Sequence, residues 1–85
     1  MTQPLDWLSK CKNAENHTST LKHYDSRCKR YRVTTTKSKY GLPDRSYSLV
    51  LNQKGIYELI KMRAHYGHEE SCFQDCEDHN KKATQ

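Results

Sequence analysis

Residues Arg27–Leu51 read RCKRYRVTTTKSKYGLPDRSYSLVL and contain the strongest strand pattern of the chain. Residues 27–36 are rich in β-branched and aromatic side chains and contain no glycine or proline, which favours a strand. Gly41 and Pro43 then indicate a loop. Apolar and small polar residues alternate over 45–51, which predicts a second strand. The whole segment is therefore predicted to form a β-hairpin with a long connection.

The segment after the hairpin has apolar residues at helical spacing. Asn52 is a favourable N-cap residue, and an amphipathic helix is predicted over 53–66. Its apolar positions are Ile56, Leu59, Ile60 and Ala64. This helix is expected to pack on the hairpin face that carries Tyr31, Val33, Tyr47, Leu49 and Leu51.

Two shorter helices are predicted nearer the two ends of the chain. Pro4 suits a first helical turn and a short apolar stripe follows it, so a helix is expected over 4–12. Acidic residues at the start of 69–79 are favourable in a first helical turn and predict a second short helix there. Residues 13–26 show little periodicity and are expected to form a loop.

The predicted fold class is α+β: a short N-terminal helix, a β-hairpin with a long connection, an amphipathic helix packed on one sheet face, and a short C-terminal helix. Residues 1–80 are expected to form a single small domain, and residues 81–85 to fray. Leu, Ile, Val and Phe together number only twelve of 85 residues. So thin a core would be helped by self-association, a partner or a metal, and we expect a homodimer.

Charge is distributed unevenly along the chain. Residues 1–40 carry nine basic and three acidic groups, whereas residues 67–85 carry two basic and five acidic groups. The net charge is +5. A basic body with an acidic tail indicates a polyanionic partner, with nucleic acid first and a membrane surface a distant second. The alternative is a solubilising surface with uneven charge.

The densest cluster of basic residues lies on the first strand of the hairpin. With Tyr31 and Val33 turned toward the helix, alternation leaves a flat polar face on the other side. Its expected members are Arg30, Arg32, Thr34, Thr36, Ser46 and Ser48. Guanidinium groups and hydroxyls donate hydrogen bonds to phosphate and ribose oxygens, and an aromatic ring stacks on an unpaired base. The predicted nucleic-acid-binding residues are Arg27, Lys29, Arg30, Arg32, Lys37, Lys39, Tyr40 and Arg45.

This basic strand also has two interpretations without nucleic acid. Lysine and arginine on an edge strand prevent edge-to-edge aggregation. The same side chains would also fit a protein partner with an acidic surface. Binding dominated by phosphate contacts would be sensitive to salt and weakly selective for sequence.

Cysteines and histidines recur at helical spacing near the C-terminal end. Cys72, Cys76 and His79 could ligate zinc, with His68 as an alternative third ligand and Cys11 or Cys28 as a fourth. The spacing is not specific for zinc. Without a secretory signal, free thiols that pack as small apolar residues are the competing interpretation, and no cofactor is expected.

Several classes of protein are disfavoured. No apolar run approaches the length of a membrane span, and the first residues do not resemble a signal peptide, so a cytoplasmic protein is expected. There is no Gly-rich phosphate loop, Gly-x-Ser-x-Gly elbow or His-Glu-x-x-His helix. We therefore expect no enzymatic activity, although His65 and His68 could act as acid and base on RNA.

In length, in its lack of catalytic motifs and in the run RCKRYRVTTTKSKYG, the chain resembles small basic proteins that T4-like phages make early in infection. Among these it is similar in kind to RNA-binding inhibitors of ToxN-type toxin ribonucleases. The resemblance implies a dimer that binds RNA and blocks a defence ribonuclease of the host. Two alternatives stay open: a protein–protein inhibitor that plugs an acidic or nucleic-acid-binding groove, and a zinc-stabilised DNA-binding regulator.

Overall fold

Five antiparallel strands, each paired with the next along the chain, form one sheet with a helix on one face. The computed structural model describes residues 4–64 and 69–83. Its elements are β1 (Lys12–Glu15), β2 (Ser19–Asp25), β3 (Tyr31–Ser38), β4 (Arg45–Leu51), β5 (Tyr57–Ala64) and α1 (Glu69–Ala83). Within the described ranges no helix has the length and apolar character needed to cross a membrane.

The predicted arrangement of helices is wrong at two places. Residues 4–12 do not form a helix, because Trp7 bridges to Ser26 and the chain runs antiparallel to the end of β2 before it enters β1. The described part of 53–66, residues 53–64, contains a tight turn followed by β5, and residues 65 and 66 lie outside the described residues. The predicted loop over 13–26 is also wrong, since it contains most of β1 and all of β2.

Two elements agree with the sequence-based expectation. Strand β4 has the predicted bounds, 45–51. A C-terminal helix begins at Glu69, as expected, but it continues to Ala83 rather than ending near residue 79. Acidic residues in its first turn and lysines in its last turn complement the helix dipole.

The core lies between α1 and the sheet face beneath it, which we call the helix face. It contains Tyr31, Val33, Cys72 and Cys76, all fully buried. Partly buried side chains pack around this centre: Leu5, Trp7, Tyr24, Val50, Ile60 and Phe73.

The side of β4 that meets the helix is the opposite of the predicted one. Ser48 pairs with Val33 and lies fully buried on the helix face, whereas Tyr47 and Leu49 pair with Thr34 and Arg32 on the other face. The physical reason is size, because small side chains on the sheet leave room for the helix backbone to approach closely. The buried Ser48 hydroxyl donates a hydrogen bond to the carbonyl of Lys61 at 3.2 Å, so burial leaves no polar atom unpaired there.

Polar contacts fix the helix to the sheet and to the N-terminal segment. The Arg63 guanidinium donates two hydrogen bonds, of 3.0 and 2.9 Å, to the Asp75 carboxylate. The Leu5 amide donates to the Glu77 carboxylate at 2.9 Å. These contacts hold α1 over β3, β4 and β5 and leave the opposite face of the sheet uncovered by any described element.

Candidate nucleic-acid interface

The sheet face opposite α1, which we call the open face, contains a depression of about 540 Å³. The residues that line it come from β2, β3 and β4 and from the β1–β2 and β3–β4 loops, which lie at the same end of the sheet. Its volume lies in the range typical of sites for small molecules and single nucleotides.

The lining of the depression combines hydroxyl, apolar, aromatic and other polar side chains. Hydroxyl groups come from Thr18, Ser19, Thr34, Thr36 and Ser38. Apolar contacts come from Leu21, Leu42, Pro43 and Leu49. The rings of His23 and Tyr47, the guanidinium of Arg45 and the amide of Asn16 complete it. An unstacked base and its ribose need this mixture: apolar walls for the ring, hydroxyls for polar edges, and a cation for phosphate.

His23 has a defined environment in this depression. Its Nδ1 shares a hydrogen bond of 2.8 Å with the hydroxyl of Thr34, which is itself almost fully buried. Burial lowers the pKa of His23 below its ordinary value, and the positive charge of Arg32 lowers it further. The imidazole is therefore neutral at pH 7 and presents a flat, uncharged ring.

The eight predicted binding residues fall into two groups at opposite ends of the sheet. Arg27, Lys29, Arg30 and Arg32 lie at the β2–β3 turn and the beginning of β3. Lys37, Lys39, Tyr40 and Arg45 lie at the far end of β3, in the connection that follows it and at the start of β4. An eight-residue strand spans roughly 23 Å, so the two groups do not form one compact patch.

Three of these basic residues are engaged in ion pairs. Arg27 contacts Asp6 at 2.8 Å, and Lys39 contacts Glu15 at 2.6 Å. Arg32 donates two hydrogen bonds to the buried Asp25, and its guanidinium also lies 4.4 Å from the centre of the Tyr57 ring. The contact with Arg32 lowers the pKa of Asp25, so this carboxylate stays charged and holds the guanidinium in place.

The remaining members of the predicted set are more available. In residues 4–64 and 69–83, Lys29, Arg30, Lys37 and Arg45 make no ion pair with a carboxylate. Among the predicted residues, Arg45 lines the depression, and Tyr40 is exposed in the loop beside it. The end of the sheet that carries Arg45 is therefore the better candidate for binding.

The polar face that was predicted for the hairpin is correct only in part. Arg32, Thr34 and Thr36 alternate on the open face, as expected. Ser46 and Ser48 do not join them, because these serines lie on the helix face.

Sequence reasoning missed His23 and Tyr47 as members of the site. The sequence pattern predicts Tyr47 in the core and His23 in a loop. The signal that could have found His23 is the alternation of 19–25, STLKHYD, in which Leu21 and His23 share one face.

The cysteines and His79 are not arranged as a metal site. The described residues contain no group of three or more His, Cys, Asp or Glu side chains that could hold a metal ion. Cys72 and Cys76 lie in the core, where they pack with Tyr31 and Val33. His79 instead contacts the hydroxyl of Tyr31. His65 and His68 lie outside the described residues.

No family model, curated protein or solved structure matches this chain.

Proposed function

We propose that the protein binds single-stranded RNA on the open face, with one nucleotide seated in the depression and its phosphate beside Arg45. The observation that carries the proposal is the depression itself, with its mixed lining of rings, hydroxyls and one guanidinium. The proposed role is that of a binding protein without catalytic activity.

The shape of the site favours an unpaired strand over a duplex. A base can enter a depression only after it leaves the helical stack, and single-stranded RNA offers such bases without an unpairing cost. Tyr47 is half-buried, and stacking on a base would cover the rest of its ring. On the neighbouring strand the Thr36 hydroxyl donates to the carbonyl of Arg45, and its oxygen can still accept a hydrogen bond from a ribose 2′-hydroxyl.

The basic residues around the site would contribute affinity with little sequence selectivity. Arg45 lies on the open face and makes no ion pair among the described residues, so it is free to neutralise a phosphate. Lys37 lies at the same end of the sheet but on the helix face, so it adds only to the positive potential at that end. Release of counterions from the RNA then makes the affinity fall steeply as salt rises.

The experiment is a fluorescence anisotropy titration of labelled single-stranded RNA at two salt concentrations. Arg45→Gln is expected to weaken binding about fivefold to tenfold and to reduce the salt slope by about one. Lys54→Gln, which removes an equally positive and exposed group from the β4–β5 turn, is the matched control and should leave binding unchanged.

Two results would contradict this site. Equal losses with both variants would indicate a diffuse electrostatic surface rather than a built site. Absence of salt-dependent RNA binding by the unmodified protein would leave the protein–protein inhibitor as the better hypothesis, and a pull-down would follow.

The use of this binding to inhibit an endoribonuclease, as a phage-type counter-defence factor, is the second part of the proposal and rests on the resemblance described above. A ToxN-type ribonuclease assay tests it: added protein should slow RNA cleavage, and Arg45→Gln protein should slow it less. Inhibition that is equally strong with Arg45→Gln would mean that the protein contacts the enzyme directly.

A further inference from the structure

Strand β5 is a long outer strand of the sheet with exposed apolar side chains. It is eight residues long and contains no proline or glycine. Two of its apolar side chains are largely exposed, Leu59 at 57% and Met62 at 46%. In the part of the chain that the structure describes, its backbone bonds only to β4. By contrast β1, at the other edge, has only four residues, of which two are charged. Long edge strands with exposed apolar side chains are sites of strand pairing.

A bulge near the middle of β5 changes which way its side chains point. Leu49 pairs with Leu59 and the preceding Ser48 pairs with Lys61, so Ile60 is an extra residue without a partner. Ile60 packs on the core, and Lys61 lies beside it near α1. Both residues therefore belong to the helix face, and the usual alternation is interrupted between them.

The bulge gives β5 a symmetric pattern of faces. Glu58 and Arg63 lie on the helix face, because their partners are Val50 and Ser46. Leu59 and Met62 lie on the open face, because their partners are Leu49 and Tyr47. Read from either end, the segment 58–63 therefore has the same order of faces.

We propose that two copies of this chain pair through β5, antiparallel and around the Ile60–Lys61 peptide, to form one continuous sheet of ten strands. In this register Leu59 lies opposite Met62 of the second copy, and the two-fold axis repeats the contact. Residues directly opposite in an antiparallel pair have Cβ atoms about 5 Å apart, so the two exposed side chains cover each other.

Charge also matches in this register. Glu58 lies opposite Arg63 of the second copy, again twice by symmetry. Within each copy, two hydrogen bonds to Asp75 on α1 already orient the Arg63 guanidinium. Glu58 of the second copy supplies the negative charge for a further contact with this guanidinium. Ile60 lies opposite Lys61, whose aliphatic stem can cover it.

Other registers do not match the faces. A shift by one residue places Leu59 opposite Lys61 in one direction and opposite Arg63 in the other. A shift by two residues places Leu59 opposite Ile60 in one direction and Met62 opposite Lys61 in the other. Each shift directs an open-face side chain toward a helix-face side chain, which a pleated sheet does not allow. The structure therefore specifies both the strand and its register. The pairing does not depend on RNA binding.

Sedimentation velocity of the full chain without RNA, over a range of concentrations, tests the surface. The unmodified protein should show a monomer–dimer equilibrium, and Leu59→Glu should weaken the dimer by at least about tenfold. Leu59 is more than half exposed, so the variant should keep its fold, which circular dichroism verifies. Leu42→Glu replaces a leucine that is 68% exposed but lies away from β5, and it should leave the dimer unchanged.

Disulfide trapping tests the register. In a chain with Cys11→Ser and Cys28→Ser, the pair Leu59→Cys and Met62→Cys should give covalent dimers under mild oxidation. Either substitution alone should give few, because identical positions lie far apart in this register. A monomer at all concentrations, a dimer indifferent to Leu59→Glu, or equal trapping by the single variants would each overturn the proposal.

Discussion

The hydroxyl of Tyr31 lies 2.8 Å from Nδ1 of His79, a residue 48 positions later in the chain. The two rings also meet edge to face, with centroids 5.6 Å apart. Tyr31 is fully buried at the start of the middle strand, and burial raises the pKa of its hydroxyl. The hydrogen bond with His79 therefore satisfies a buried polar group and joins the sheet to the C-terminal half of α1.

Removal of this hydroxyl should destabilise the fold. Tyr31→Phe keeps the ring but leaves His79 without its partner, and we expect the free energy of unfolding to fall by about 1 kcal/mol. Urea denaturation followed by circular dichroism measures the change. Tyr40→Phe is the control, because Tyr40 is 71% exposed, and its effect should stay within about 0.5 kcal/mol. Equal effects of the two substitutions would show that the Tyr31–His79 contact does not stabilise α1.

Thiol reactivity should divide the four cysteines into two classes. Cys28 is exposed and Cys11 partly exposed, whereas Cys72 and Cys76 are fully buried. Burial raises the pKa of Cys76 to about 12, so almost no thiolate exists at pH 8. A colorimetric thiol reagent at pH 8 should therefore modify at most two cysteines in the native protein and four in denaturant. Rapid modification of Cys72 or Cys76 in native buffer, identified by mass spectrometry, would contradict the packing of α1.

A metal chelator should have no effect on stability. Cys72 and Cys76 pack in the core, and the described residues provide no cluster of metal ligands around them. Unfolding curves with and without a strong zinc chelator should therefore superimpose. Loss of the fold in chelator, with zinc in the untreated protein by elemental analysis, would restore the hypothesis of a zinc-stabilised regulator.

Acid should destabilise the fold through Asp25. The hydrogen bonds from Arg32 lower the pKa of Asp25 below 3.8, so the unfolded chain binds a proton more readily than the native one. The stabilisation is complete above pH 3.8 and is lost as the pH falls through the native pKa. Asp25→Asn should lower stability at pH 7 and reduce its decline between about pH 5 and pH 2.

The control for this titration is Asp6→Asn. Asp6 also binds an arginine, but its side chain is 71% exposed, and an exposed ion pair contributes little. Its variant should follow the pH profile of the unmodified protein. If Asp25→Asn follows that profile as well, the Arg32–Asp25 pair does not contribute to acid stability.

Backbone conformation makes opposite predictions at two turns. Gly55 has a φ of 81° and open space around its Cα, so Gly55→Ala should cost about 1 kcal/mol through backbone strain alone. Lys29 adopts a φ of 63° with a side chain, so Lys29→Gly should be neutral or slightly stabilising. Thermal unfolding of both variants tests the pair. A stabilising Gly55→Ala would contradict the conformation of the β4–β5 turn.

The bulge explains why sequence reasoning assigned 53–66 to a helix. Leu59 lies exposed on the open face next to the core residue Ile60, and the bulge then places Lys61 on the same face as Ile60, so the alternation of a regular strand is lost there. The resulting spacing of apolar residues imitates a helical period. β4 has no such interruption, and its alternation was sufficient to predict its bounds. The faces of β4 could not be assigned correctly, because a buried Ser48 contradicts the usual preference of the core for apolar residues.

The sequence identified some of the residue types at the candidate site, but it did not show which residues the fold brings together there. Arg45 and Tyr40 were identified from charge and aromaticity, and the structure places Arg45 in the depression. The sequence could not show that Arg27, Arg32 and Lys39 form ion pairs. Pairing between antiparallel segments brings Asp6 to Arg27 and Asp25 to Arg32, and Glu15 contacts Lys39 in the loop after β3. Such contacts depend on the register, which composition does not determine.

The order of the strands has a consequence for the time course of folding. Every strand pairs with its neighbour along the chain, so the sheet can assemble by adding one hairpin after another, with short loops and little loss of entropy at each step. The helix face gains its cover only when α1, which follows the five strands, docks on it. A chain whose five strands have paired before α1 docks therefore still exposes Tyr31 and Val33 to water, and this stage is the one most open to chaperones and proteases.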